Sequence, residues 1–317
     1  MSVICFGELL IDFVALENGV TVDRASGFEK AAGGAPANVA VGLARLGHQS
    51  AFVGQVGDDP FGHYLGDVLK NEGVDVDGLR FHPNARTALA FVSLTENGER
   101  SFVFYRHPSA DMLMTADDVS EDVIQRGKIF HFGSLTLIAN ESASATHHAV
   151  QVARETGLTI SYDPNLRLAL WDSEDDARQG LLAGFEYAHI VKISEEEVQF
   201  LTGTDSIETL WRDPTQLIVV THGANGATAY HRKATSVHVA GFAVNTVDTT
   251  GAGDSFVAGL LSGILQNPDD YHDKLEAILR FANACGALTT TARGAIPALP
   301  TVGQVADYLK GQVLTDS

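Results

Sequence analysis

Ile129-Phe-His-Phe-Gly-Ser-Leu135, a stretch from Asn140 to Glu155, Gly157 and then Thr159-Ile-Ser-Tyr162 follow one another in mid-chain. The first and last pieces are near-continuous apolar runs, as expected of strands covered on both faces. Asn140 is placed to cap a helix through Glu155, and Gly157 to end it. Strand, helix and strand in that order make a crossover unit, which joins parallel neighbours of one sheet.

The same alternation extends in both directions. Residues 3–11, 51–56, 189–193 and 217–221 read as further buried strands. Residues 36–46 read as a helix that has proline in its first turn and stops at Gly47; Val39, Leu43 and Leu46 share one face. Asp172 is placed to cap another. The fold class is therefore α/β: a doubly wound, mainly parallel sheet with helices on both faces. Residues 87–94 and 101–106 break the pattern as a β-hairpin, with turn chemistry at Asn97-Gly98. Two readings stand for it, a lid over a site or a structural hairpin on the core. A second hairpin is expected after Gly226, through residues 229–231 and 236–239.

The 317 residues, 45% of them hydrophobic, suffice for one large core, so the whole chain 1–317 reads as one domain. A net charge of −19 repels nucleic acid and anionic lipid, which excludes both as partners. An anionic nucleotide then needs local donors. The first 16 residues carry Glu8 and Asp12, with no basic region ahead of the apolar run, so a strand is expected and not a signal peptide. No uncharged stretch is long enough to span a bilayer. Cys5 and Cys285, both in apolar contexts, read as free thiols in a reducing cytoplasm.

The phosphate-binding G-x-x-x-x-G-K-[ST] loop is missing, as are H-R-D, D-F-G, G-x-S-x-G and H-E-x-x-H, and the 12 histidines show no zinc spacing. What remains is Asp248-Thr-Thr-Gly-Ala-Gly-Asp-Ser-Phe256. Gly251, Ala252 and Gly253 precede a helical run, which makes either an anion site at a helix N-terminus or a tight turn with Asp254 as N-cap. Gly33-Gly-Ala-Pro-Ala-Asn38 opens the earlier helix. Its glycines let backbone approach a ligand, and Asn38 offers an amide to hydroxyls; a plain turn and helix start fits equally.

Together, and in this order, these two motifs resemble the paired signatures of the ribokinase-like (PfkB) carbohydrate kinases. The similarity runs from Phe6 to Pro297 through Gly54-Gln-Val-Gly-Asp-Asp59, Gly73-Val-Asp75 and Val220-Thr-His-Gly-Ala-Asn-Gly226. It leans toward fructokinases in Phe6-Gly-Glu-Leu-Leu-Ile-Asp12, Tyr105-Arg-His-Pro-Ser-Ala-Asp-Met112, Ser161-Tyr-Asp-Pro-Asn-Leu-Arg167 and Lys192-Ile-Ser-Glu-Glu-Glu197. The resemblance implies transfer of phosphoryl from ATP to a small sugar, D-fructose at O6, with Mg²⁺ and a potassium ion. Asp254 resembles the catalytic base, and Gly251, Ala252 and Gly253 the anion hole. Asp12, Gly33, Gly34 and Asn38 resemble sugar contacts, joined by Arg106 and Arg167. Lys192, Thr221, Gly223, Gly226 and Asn283 resemble nucleotide positions. Asp248 and Thr250, with carbonyls around Gly294, resemble a monovalent-cation site. The resemblance also implies a β lid of residues 12–30 and 86–107, and a homodimer through its strands.

Ser194 stands where the wider family has Asn. Glu197 matches the acid that orders Mg²⁺ through water, yet Ser194-x-x-Glu197 is also a capping box. Asp254, at a helix N-terminus, is expected to have a depressed pKa. Two rivals remain: a 2-keto-3-deoxygluconate kinase, using Tyr105, Arg106 and Arg167 on the carboxylate, and a non-catalytic sugar sensor on the same fold.

Overall fold

The computed structural model describes residues 2–17, 19–94 and 100–315. The turn expected at Asn97-Gly98 lies outside the described residues. In chain order the strands are β1 (Ser2–Phe6), β2 (Leu10–Ala15), β3 (Phe28–Gly33), β4 (Gln49–Gly57), β5 (Asp75–His82), β6 (Leu89–Leu94), β7 (Arg100–Tyr105), β8 (Ile129–Gly133), β9 (Thr159–Asp163), β10 (Ile190–Ser194), β11 (Leu217–Thr221), β12 (Ala227–His231) and β13 (Ala234–Val239). The helices are α1 (Ala35–Arg45), α2 (Pro60–Asn71), α3 (Glu121–Ile124), α4 (Asn140–Glu155), α5 (Glu174–Phe185), α6 (Glu195–Thr202), α7 (Ala252–Gln266), α8 (Leu275–Thr289) and α9 (Val302–Thr315).

Among the described residues these strands form two sheets. The larger has the order β13-β12-β11-β10-β9-β8-β1-β4-β5. From β11 to β5 every pairing is parallel, and β12 and β13 add an antiparallel edge. Strand alternation splits the core between the two faces. Val3 and Cys5 of β1 pack with α1, α7 and α8, whereas Ile4 and Phe6 pack with residues of α4 and α5. β11 divides the same way, Leu217 and Val219 against Ile218 and Val220. Both cysteines are buried free thiols whose pKa burial drives up. The doubly wound α/β sheet expected from the alternation is the fold found.

The smaller sheet, β3-β2-β6-β7, stands at the carboxyl ends of the central strands. Its existence corrects the reading of residues 3–11 as one strand. The run breaks at Gly7, whose φ is +154° and where a Cβ would lie 2.6 Å from the Pro36 ring, which leaves no room for a side chain. β1 stays in the main sheet and β2 leaves it. The second hairpin, β12 and β13, extends the main sheet instead of leaving it. β5 went unread because Asp75, Asp77 and Arg80 interrupt its apolar pattern; it is an edge strand beside β4. Two caps also move by one residue. α4 starts at Asn140 with Ala139 in the cap position, and α5 is capped by Ser173, not Asp172, through the Asp176 N–H at 3.1 Å.

Candidate active site

Strand order reverses around β1, with β8 on one side and β4 on the other. Ligands of open α/β sheets bind at the carboxyl ends near such a reversal. Two cavities lie there. One, of 170 Å³, is lined by Glu8 after β1, Asp12 on β2, Asn38 on α1, Asp163 at the end of β9, Lys192 on β10 and Asp254 on α7. Phe102 and Phe104 of β7 form part of its wall, and Arg167 enters with its guanidinium 5.9 Å from the Phe102 ring. The other cavity, of 530 Å³, carries no charged side chain. It lies between Thr221, Gly223 and Gly226 on one side and Ala252, Phe256 and Asn283 on the other. The two meet at Thr249 and Gly253, which line both.

The junction is a helix N-terminus built by glycine. Gly251 caps α7 in the left-handed region, φ +77°, where a Cβ would lie 2.8 Å from that of Ala295. A Cβ on Gly253 would lie 3.4 Å from the Lys192 ammonium, so its absence leaves the exposed N–H groups and the cation side by side. Asp248 staples the loop: Oδ1 accepts from the Thr250 N–H and hydroxyl at 2.9 and 2.7 Å, Oδ2 from the Gly294 N–H at 2.9 Å.

Asp254 sits in the first turn of α7, buried, with Oδ2 accepting from Asn38 Nδ2 at 2.7 Å. Its pKa is raised to about 6, against the expected depression. Burial is the main cause and Asp163 adds to it, outweighing the Asn38 hydrogen bond and the Lys192 and Arg167 charges. Asn38 Oδ1 is buried without a partner. Lys192 lies 3.2 Å from Asp163. Burial opposes its charge, but Asp163, Glu197 and Asp254 outweigh that and hold its pKa above the ordinary lysine value.

The small cavity gathers Asp12, Gly34, Asn38, Arg167, Thr250, Gly251, Gly253 and Asp254, and also Lys192, which was assigned to the nucleotide. Thr221, Gly223, Gly226, Asn283 and Ala252 share the large cavity. Gly226, φ +99°, could carry no Cβ, which would lie 2.1 Å from the Val239 carbonyl; Asn283 Nδ2 donates to Val239 and Ala240 from the other side. Gly33 lines neither cavity but lies under the Asp12 carboxyl, 2.2 Å from where its Cβ would be. Arg106 also lines neither: it is buried, paired with Asp111 at 2.6 Å and bonded to the Leu135 carbonyl. Glu197 closes the capping box with Ser194. Its Oε1 accepts from the Leu166 N–H at 2.7 Å and its Oε2 from the Ser194 N–H at 2.8 Å.

Sequence reading missed Glu8, Asp163, Phe102 and Phe104. The two acids stand inside the quoted motifs, Asp163 as the last residue of a strand, and the two aromatics alternate on one face of β7.

A small, carboxylate-rich cavity meets a larger uncharged one at the N-terminus of α7, an arrangement suited to a phosphotransferase acting on a small polar molecule. The model of the pfkB family carbohydrate kinases matches residues 1–302. Probable fructokinase-4 of Arabidopsis thaliana is 50% identical over 316 residues, 98% of this chain and 97% of the relative. Fructokinase with bound ATP from Xylella fastidiosa superposes with a TM-score of 0.90 at 37% identity, covering 98% of this chain and 99% of the other. A double-mutant fructokinase of Vibrio cholerae O395, in fructose, ADP and potassium ion bound form, gives 0.86 at 39% identity, covering 97% and 98%. The chain belongs to the pfkB family of carbohydrate kinases and is a sugar kinase. No helix among the described residues is long and apolar enough to cross a membrane.

Proposed function

We propose that this kinase transfers the γ-phosphoryl of ATP to O6 of D-fructose. The observation that carries the reading is the meeting of the two cavities at Gly253, with Asp254 on the sugar side and Lys192 beside the α7 N-terminus. ATP takes the uncharged cavity with its phosphates toward Gly251, Ala252 and Gly253, whose N–H groups meet charge on the transferring phosphoryl. Fructose takes the small cavity, where Asp12 and the unpartnered Asn38 Oδ1 accept from its hydroxyls. Asp254 takes the O6 proton. A loose transition state needs that proton removed only late, and a carboxylate raised to about 6 is ionised at neutral pH and still basic enough. The β2, β3, β6 and β7 sheet covers the sugar and limits transfer to water.

Magnesium, arriving with the nucleotide, would neutralise phosphate charge. Glu197 does not suit that ion, since both its oxygens hold backbone N–H groups and it lines neither cavity. It acts instead as a helix cap and as a negative neighbour of Lys192. Backbone carbonyls of the loops at Thr250 and Gly294 would offer oxygens to potassium, while Asp248, whose own oxygens accept from Thr250 and Gly294, holds the two loops in register. The outer face of β7 exposes Val103 (41%) and Tyr105 (63%), which favours a homodimer through these strands.

A neutral sugar fits better than a sugar acid. Asp12, Asp163 and Asp254 face the small cavity against Lys192 and Arg167, and Arg106 is already paired. ATP consumption across a sugar panel tests this. Fructose is expected to lead 2-keto-3-deoxygluconate in kcat/KM by about tenfold or more, the worth of one misplaced charge at short range. A preference for the acid overturns the substrate, and no turnover with any sugar leaves the sensor reading.

A further inference from the structure

Glu8 has no part in the reaction described above, yet it is only 3% exposed and forms part of the wall of the sugar-side cavity. It lies between β1 and β2, and its Oε1 accepts from the Ala35 N–H at 2.8 Å, in the first turn of the helix that carries Asn38. The cavity is rich in carboxylate acceptors, and its side-chain donors include the Arg167 guanidinium and the Asn165 amide. Asp12, Asp163, Asp254 and Asn38 Oδ1 all accept. Asn38 Nδ2 is committed to Asp254 and the Lys192 ammonium to Asp163. A neutral polyol presents hydroxyls that must accept as well as donate, and each one left unmatched in a buried site costs affinity.

Resting on the sugar-kinase reading, we propose that Glu8 binds the sugar as a neutral carboxylic acid. One oxygen keeps the Ala35 N–H while the other donates its proton to a sugar oxygen, so that Glu8 sets sugar affinity and its ionisation weakens it.

Several elements act on this carboxyl. Burial raises its pKa to about 7, opposed by its own backbone N–H, by Arg106 after β7 and by the Ala35 N–H of α1, while Asp111 pushes it up again. Asp12 on β2, Asp163 on β9 and Asp254 on α7 line the same cavity, as do Lys192 on β10 and Arg167. Below about 7 the group is a donor. Above that it becomes one more anionic acceptor among acceptors.

The test is fructose KM and kcat at saturating ATP from pH 6 to 9, in the wild type and in Glu8→Gln. The amide keeps an acceptor for the Ala35 N–H and a donor for the sugar, and it cannot ionise. The wild-type fructose KM should climb about tenfold as pH rises through 7 toward 9, the worth of one buried hydrogen bond. The KM of Glu8→Gln should stay flat, falling below the wild type at pH 9, with the ATP KM the same in both. A purely structural Glu8 could not make its variant the tighter binder. If the KM of Glu8→Gln tracks the wild type with pH, or exceeds it at every pH, the proposal falls. Proton uptake on fructose binding to the wild type near pH 7.5, from calorimetry in two buffers, gives the same answer without a variant, and its absence overturns the idea. A wild type that turns over another sugar but not fructose marks failure of the substrate reading, a result distinct from a pH-flat fructose KM.

Discussion

Asp254 shows how one residue acquires a role from groups far away in sequence. Asn38 comes from α1, Asp163 from β9 and Lys192 from β10, and each alters its proton affinity. Asp254→Asn should leave fold and fructose binding in place and lower kcat by about 10²–10⁴, the range for loss of a general base. Steady-state kinetics on the folded variant checks this, and near-normal turnover would remove Asp254 from the role of base. The sign of the pH dependence follows from the ionised form being active: wild-type kcat is full above about 6 and declines as pH falls through that value. The position of this residue was legible in the sequence, because small residues before a helical run mark an N-terminus. Its raised pKa was not, since the helix dipole is local while burial is tertiary. Arg106 shows the reverse error: its motif suggested a ligand contact, but Asp111, five residues on, claims the guanidinium.

At the scale of elements, the loop ahead of α7 depends on Gly251 and Asp248. Gly251→Ala puts a side chain into the left-handed region at about 1–2 kcal/mol, and the contact with Ala295 adds to that. Denaturant midpoints should fall with an unchanged m-value, and kcat should fall further than the ATP KM rises, because the displaced N–H groups act on the transferring phosphoryl. A variant with wild-type stability and kcat would show that the loop tolerates a second geometry. The proposed potassium site belongs to the same loop. Replacing potassium with a large organic cation at constant ionic strength should lower turnover several-fold, and an unchanged rate removes the ion from the proposal. Elements with an uninterrupted apolar pattern were legible. The division of residues 3–11 was not, because Gly7 turns the chain for a reason visible only beside Pro36. The alternating charges of β5 likewise hid a strand that β4 holds in register, Val53 against Gly78.

Over the whole molecule, 40 acidic residues against 21 basic ones surround the large cavity proposed for the nucleotide, whose lining has no charged side chain. Near it stand Lys192 at the junction, ringed by Asp163, Glu197 and Asp254, and Arg280, whose guanidinium lies 5.2 Å from the ring of Phe242 in the cavity wall. The net charge of −19 is expected to repel an approaching nucleotide at long range. Such a field acts over the Debye length, about 10 Å at 0.1 M salt and about 30 Å at 0.01 M. Stopped-flow association of ATP should therefore speed up as ionic strength rises from low to physiological values at fixed potassium, contrary to an electrostatically steered site. Fructose is neutral, so its association should not respond. The shape of this response separates global from local charge. Repulsion by the whole surface is screened first, whereas a contact of the buried Lys192 with phosphate would be screened little. ATP association that slows with added salt would mean that local cations govern the approach, and would place the effective positive charge outside the cavity walls.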